Sequence, residues 1–336
     1  MLRRLPLLSL FLPARALRLV TFNVHAWRDA NHNDNFVRLI ELLKSLEPDV
    51  LCLNEALHPF VGPPTDDPYW QIVRERRGHS YVPSERSTPE DDANYLCRLA
   101  AALDLPFSTF CGAAGADAEP VAFRKSFFGQ YPFGNAILSR HELSDVRHEL
   151  LRVGPADLTV GTQSRTEDDL EYRGVITARV SLPNGGSLGV CVTHLDHKAE
   201  ELRERQIGEV VNHCRAAFGD DESLVPHIIC GDLNTFDACD MSDAMWRGIS
   251  ELYASKGWPP PHAASLVRAV LREAGYVDAF ALRAEGEAHE LPPRTCWTQT
   301  RLDYVMVRGE VAVRSHATVE SDASDHLPVV CELVVK

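Results

Sequence analysis

Leu17-Arg18-Leu19-Val20-Thr21-Phe22-Asn23, an amphipathic stretch, and then Asp49-Val50-Leu51-Cys52-Leu53-Asn54-Glu55 form the passage that decides the fold. The first run is short and β-rich and ends in a polar residue, as a buried strand delivering Asn23 to a sheet edge would. Phe36, Leu39, Ile40 and Leu43 follow at i, i+3, i+4, i+7, the period of a helix, with Asp34 expected as its N-cap and Pro48 as its stop. The second run is another buried strand with Glu55 at its exit. A β-α-β unit of this kind sets the two strand ends side by side, so Asn23 and Glu55 should meet.

Outward from this unit, strands are expected at 135–139, 143–150, 174–182, 187–193, 227–231, 302–307, 311–319 and 328–334. Helices are expected at 93–103, 198–214, within 240–262, and at 263–274. Asn184-Gly185-Gly186 marks a tight turn. Residues 59–92 read as a long surface excursion with a short helix near Trp70, and 154–172 as a polar loop bordering a site. Strands and helices alternate in both halves with no repeat or linker. The expectation is one four-layer α/β domain over 17–336, preceded by an extension over 1–16.

The chain has 336 residues, 45% apolar and 24% charged, with 34 basic against 48 acidic side chains and a net charge of −14. That acidity counts against processive wrapping of duplex DNA, which draws its affinity from neutralised phosphates. Nine cysteines form no C-x-x-C pair, and Cys52, Cys191, Cys230 and Cys331 lie in apolar runs, which points to reduced thiols and an intracellular protein. The Leu-rich start carries Arg3, Arg4 and Arg15 and no acid before Asp29, as a short mitochondrial presequence would. Ala14-Arg15-Ala16 offers a secretory-type cleavage site instead; Pro6 and Pro13 weaken both readings, and an unstructured extension stands level with them as the third. No apolar stretch is long enough to suggest a membrane span.

Several polar residues stand where strands end. Asp232 and Asn234 follow Pro226-His227-Ile228-Ile229-Cys230-Gly231; Asp232 is placed to orient or deprotonate a water and Asn234 to donate to charge developing on phosphorus. The alternative for this pair is an Asx-turn with Asn234 capping a helix. In Thr193-His194-Leu195-Asp196-His197, His194 is a donor to a phosphate oxygen, a plain surface histidine, or with Asp196 and His197 part of a zinc site lacking its fourth ligand. Asp303 lies inside an apolar strand and needs a partner, either His326 or Arg301. Glu55 is the best single metal ligand, and with Asn23 and Asp325 it makes an oxygen-only set suited to Mg²⁺ or Mn²⁺.

Thr21-Phe22-Asn23, Leu53-Asn54-Glu55, Gly134-Asn135-Ala136-Ile137-Leu138-Ser139, Thr193-His194-Leu195, Gly231-Asp232-Leu233-Asn234, Leu302-Asp303-Tyr304 and Ser324-Asp325-His326 occur in an order that resembles the endonuclease/exonuclease/phosphatase superfamily, the deoxyribonuclease I-like fold. The resemblance implies a four-layer α/β sandwich with two central, mostly antiparallel sheets. It implies Glu55 as principal metal ligand beside Asn23 and Asp325, and Asp232 orienting the nucleophilic water. By the same resemblance Asn234 and His194 contact the scissile phosphate, and His326 is the acid/base held by Asp303. Asn54 is a departure, since relatives often carry the longer Gln before the Glu.

Such proteins cleave DNA, RNA, tyrosyl-DNA adducts, inositol phosphates or sphingomyelin, so the fold leaves the substrate open. His194 to His197 and Glu171-Tyr172-Arg173-Gly174 look most like the tyrosyl-DNA phosphodiesterase 2-like and related uncharacterised branches, which makes Asn135 and Arg173 substrate-binding candidates. The expected activity is Mg²⁺-dependent hydrolysis of a phosphate ester, on DNA or RNA ends or nucleotide conjugates. The alternative is a small-molecule or lipid phosphohydrolase. Every expected catalytic position is filled, which argues against a silent interaction protein.

Overall fold

The computed structural model describes residues 16–57, 79–81, 95–112, 133–151, 173–220, 224–283 and 291–335. The extension over 1–15, the helix near Trp70 and the loop at 154–172 lie outside the described residues. Two sheets stack face to face. One runs β12 (Val311–Thr318), β13 (Val329–Val335), β1 (Leu17–Asn23), β2 (Val50–Leu57), β5 (Phe133–Ser139), β4 (Phe107–Gly112) and β3 (His79–Tyr81). The other runs β10 (Val277–Asp278), β11 (Asp303–Arg308), β9 (His227–Asp232), β8 (Ser187–Thr193), β7 (Gly174–Ser181) and β6 (Leu143–Leu150). The pairs β1–β2 and β8–β9 are parallel and the others antiparallel. Helices α1 (Phe36–Leu46) and α2 (Tyr95–Leu103) cover the outside of the first sheet. Helices α3 (Glu200–Phe218) and α5 (Leu266–Glu273) cover the second, giving the four expected layers.

Period-two alternation sorts the core. Leu17, Leu19, Val50, Cys52, Ile137, Val190, Val192, Ile228, Cys230, Val305 and Val307 face inward between the sheets. Their neighbours Val20, Phe22, Leu51, Leu53 and Leu138 face α1 and α2, while Cys191, Ile229, Tyr304 and Met306 face α3 and α5. Burial of these side chains at about 1.5–3 kcal/mol each is the main source of stability.

Several local expectations are corrected. Asn35, not Asp34, is the N-cap of α1, and no side chain caps that end. Strand β4 follows Leu105 where no strand was expected, and it fills the space between β5 and β3. Helix α4 (Asp243–Lys256) is separate from a short 3-10 turn at Ala238–Asp240 and begins at Ser242, whose hydroxyl accepts from the Met245 amide. A short helix α6 (Ala279–Leu282) closes the second sheet's edge. All nine cysteines are free thiols, and among the described residues no helix is long and apolar enough to cross a membrane.

Burial pushes His148, His227 and His316 down to about 4. The unfolded chain therefore binds more protons than the folded one between about pH 4 and pH 6.5, so stability rises with pH in that window and is lost as pH falls through it. His227 is fully buried, with Nε2 against the Tyr276 hydroxyl at 2.6 Å. We expect urea denaturation at pH 5 to show a loss of about 1–2 kcal/mol for this histidine relative to pH 7, most of it removed in His227→Asn.

Candidate active site

The inward-facing positions of the strands continue past the apolar core to one end of the sandwich, where they become polar. Asn23 continues Leu17 and Leu19, Asn54 continues Val50 and Cys52, Asp232 continues Ile228 and Cys230, and Asp303 shares its face with Val305 and Val307. The same alternation that buries the core thus brings these side chains together.

Glu55 breaks the pattern. By parity it would face α1 with Leu51 and Leu53, but the β2–β5 register shifts between Leu53 and Ala56, and Glu55 has a φ of 55°. This bulge turns the carboxylate into the cleft beside Asn23, whose Nδ2 donates to Glu55 Oε1 at 2.9 Å and to Asp232 Oδ2 at 3.1 Å. Asn23 Oδ1 accepts from the His25 amide at 3.0 Å, so the amide presents its nitrogen, not its oxygen, to the carboxylates. Asn23 therefore stands here as a bridge between Glu55 and Asp232 rather than as a ready oxygen ligand.

Gly231 allows β8 and β9 to approach. Its φ is 128°, and a Cβ there would lie 2.1 Å from the Thr193 carbonyl oxygen and 2.8 Å from Asn54 Oδ1. We expect Gly231→Ala to cost on the order of 3 kcal/mol or more in chemical denaturation, since neither backbone nor amide can give way.

Asn54 ties the sheets together. Its Oδ1 accepts from the Asp232 amide at 2.9 Å, and its Nδ2 donates to Asn135 Oδ1 at 2.8 Å and to the Thr193 carbonyl at 3.0 Å. The shorter amide thus makes the full set of contacts that its position demands. Asn135 in turn donates to the Gly174 carbonyl at 2.8 Å and is buried. Its expected place at the substrate is corrected: both ends of its amide are used inside the sandwich.

Asp303 pairs with His326, Oδ2 to Nδ1 at 2.8 Å, and His326 Nε2 lies 3.7 Å from Asp232 Oδ2. Burial disfavours the charged ring, but Cys296, Asp303 and Asp232 outweigh it and raise His326 well above its ordinary value. Asp232 is pushed up to about 6, chiefly by burial, with His326 opposing and Asp303 adding. The Ser324 hydroxyl anchors this turn by donating to the Asn23 carbonyl at 2.8 Å. Arg301, the alternative partner of Asp303, is bound instead to Asp278 by two bonds of 2.6 and 2.8 Å, with its guanidinium 4.4 Å from the Tyr304 ring centre. Asp278→Ala should cost about 3–5 kcal/mol in thermal or urea unfolding, because it leaves a buried guanidinium without its carboxylate.

Asp232 Oδ1 accepts from the Asn234 amide at 3.0 Å, the Asx-turn alternative, yet Asn234 caps no helix. With a φ of 50° its side chain turns back, Nδ2 lying 3.1 Å from the Leu195 carbonyl and 3.0 Å from His194 Nε2. His194 Nε2 is 3.4 Å from Asp232 Oδ2, and burial, then Arg173, His326 and His197, hold His194 well below its ordinary value. Arg173 sits behind this histidine: Nη1 is 3.1 Å from His194 Nδ1, and Nη2 is 3.3 Å from His197 Nδ1. Arg173 lines the cleft with its guanidinium turned to these two imidazoles. The zinc alternative also fails, since Asp196 Oδ1 accepts from the amides of Lys198 and Ala199 at the start of α3.

Glu55, Asp232 and Asp325 converge on one wall of the cleft, and burial followed by the Asp325 charge pushes Glu55 up to about 8. A divalent cation fits such a set, because it would relieve the repulsion and accept hard oxygen donors. Sequence reasoning missed His25, whose Nδ1 lies 3.8 Å from Asp325 Oδ1 in a left-handed turn in which His25, Ala26 and Trp27 have φ of 45°, 54° and 64°. Its one sequence signal is its place two residues after Asn23. The wall built by α4, Trp258 and residues 295–300 completes the cleft.

Comparison with known proteins agrees with this fold. An endonuclease/exonuclease/phosphatase protein from Beutenbergia cavernae is 19% identical and superposes with a TM-score of 0.60, covering 96% of this chain and 72% of that one. The human Nocturnin catalytic domain with bound sulfate is 18% identical, with a TM-score of 0.56 and coverage of 96% and 94%. A humanized D. rerio TDP2 is 18% identical, with a TM-score of 0.50 and coverage of 95% and 99%. No curated protein sequence matches the chain. The model of the Endonuclease/Exonuclease/phosphatase family matches residues 20–326, and on that match the chain belongs to this family, whose members are typically hydrolases.

Proposed function

We propose that this protein is a Mg²⁺-dependent phosphodiesterase, with Mn²⁺ as a substitute ion, acting on nucleic-acid ends or nucleotide conjugates. One observation carries the reading: a His326–Asp303 pair, the Asp232 carboxylate and the Glu55–Asp325 pair meet at one end of a single cleft. Glu55 and Asp325 would hold the cation, with Asn23 between Glu55 and Asp232. A bound divalent cation would supply positive charge to the phosphate oxygens.

Within the chain, Asp232 accepts a proton from the attacking water as its oxygen forms a bond to phosphorus. Its elevated pKa of about 6 makes it a stronger base than an ordinary aspartate. The ester P–O bond breaks and the leaving oxygen takes a proton from His326, which Asp303 and Asp232 keep charged. Asn234 and His194 flank Asp232 as donors to the charge that builds on the phosphoryl oxygens. Asp303 orients the His326 ring by accepting a hydrogen bond from its Nδ1–H.

The test is a side-by-side panel with Mg²⁺ that includes a 5′-tyrosyl oligonucleotide, a dinucleotide, an inositol phosphate and a phosphomonoester. Nucleic-acid ends should be cleaved fastest, with affinity falling steeply with salt. Preference for the inositol phosphate or the phosphomonoester, with a shallow salt slope, would replace this substrate assignment.

A further inference from the structure

The cleft that holds the carboxylates does not end at them. A cavity of about 280 Å³ carries Glu55, Asp232, Asp325 and His326 at one end and an apolar lobe at the other. Phe236, Ile249, Leu252, Tyr253, Trp258 and Trp297 wall that lobe. The aromatic part is a fixed surface, with Tyr253 edge-on to Trp258 at 5.2 Å and to Phe236 at 6.2 Å. Trp258 also meets His197 edge-on at 5.6 Å, which joins the lobe to the Arg173–His194 wall. On the other side the Trp297 amide donates to the Asp325 carbonyl at 2.9 Å, and the Leu327 amide to the Thr295 carbonyl at 2.8 Å. The lobe and the catalytic turn are thus one connected surface.

Charge distinguishes the two ends. Among the described residues that line the cavity, the carboxylates are Glu55, Asp232 and Asp325, all at the catalytic end, and the permanent cations are Arg173 and Lys256. An uncharged apolar group attached to a phosphate seated at His326 and Asp232 would leave water for a preformed apolar wall.

We infer that the lobe formed by α4, Trp258 and residues 295–300 is a subsite for an uncharged apolar ester group, alkyl or aryl, of the phosphodiester being hydrolysed. This rests on the phosphodiesterase reading above and specifies the group esterified to the phosphate.

The experiment compares methyl, butyl and octyl p-nitrophenyl phosphate with bis-p-nitrophenyl phosphate, in the parent and in Leu252→Glu, with Mg²⁺. In the parent, kcat/KM should climb about three- to fourfold per methylene until the lobe is filled. Leu252→Glu, checked for an unchanged circular dichroism spectrum, should collapse the octyl-to-methyl ratio towards one. A flat alkyl series with a bis-aryl ester well ahead of the methyl ester, and that lead lost in Leu252→Glu, assigns the lobe to aryl groups. Equal rates on all four esters, or a preference untouched by Leu252→Glu, overturns the subsite.

Binding of octyl phosphate against methyl phosphate, read by tryptophan fluorescence, separates this from failure of catalysis. Octyl phosphate should bind at least 100-fold more tightly to the parent, with the difference lost in Leu252→Glu. Binding with that difference but no turnover of any diester would leave the subsite standing and end the phosphodiesterase reading. Equal binding of the two phosphates would end the subsite.

Discussion

Replacing Asp232 by Asn should lower kcat on any diester by about 10³-fold or more while leaving the fold in place. The side chain keeps an oxygen for the Asn234 amide, a contact of 3.0 Å, and keeps its size between Asn23 and His326. What it loses is a base: burial raises Asp232 to about 6, and the amide cannot accept the water's proton at any pH. The amide also removes a carboxylate that helps keep His326 charged, so the acid weakens together with the base. KM should change little, because the phosphate still meets Asn234 and His194. Single-turnover measurements with a chromogenic diester separate the two parameters, and a change confined to KM would remove Asp232 from the chemistry.

The second large effect is expected at Glu55, and its sign differs between stability and activity. In the metal-free protein Glu55 titrates at about 8, above the 4.5 of an unfolded chain. Its folded form therefore holds a proton that the unfolded chain gives up, and ionising it costs stability at every pH above about 4.5. Glu55→Gln removes that cost and keeps an oxygen for Asn23 Nδ2, so the metal-free variant should be as stable as the parent or more stable, by about 1–2 kcal/mol at pH 7 after screening by cleft water. Activity should move the other way, falling at least 10³-fold, and the rise in Tm that Mg²⁺ gives the parent should vanish. Thermal melts with and without Mg²⁺ at pH 7 check both halves. A variant that is less stable without the ion but still stabilised by it would mean that Glu55 is a structural residue.

Most of the fold was legible because its signal is periodic. The alternation in β1, β2, β9 and β11 places the core and, carried one position further, places Asn23, Asn54, Asp232 and Asp303. The approach of Asn23 to Glu55 followed from the β-α-β unit and is found at 2.9 Å. What was not legible depends on departures from period two or on partners distant in sequence. The bulge at Glu55 reverses the direction its parity implies, and nothing in Leu53-Asn54-Glu55 announces it. Asn135 carries the residue type of a phosphate site, but its partners Asn54 and Gly174 arrive from other strands and turn it inward, while Arg173 lines the cleft with its guanidinium on His194 and His197. The apolar lobe draws on residues 236–258 and 295–302, separate segments whose side chains read one at a time as ordinary core.

The most direct test of the account is hydrolysis of bis-p-nitrophenyl phosphate by protein first stripped with EDTA and then titrated with Mg²⁺. The account predicts no turnover in the stripped protein, saturable recovery as Mg²⁺ is added, and no recovery in Asp232→Asn or Glu55→Gln. Turnover that survives EDTA, or that persists in Asp232→Asn at the parent's rate, would contradict it.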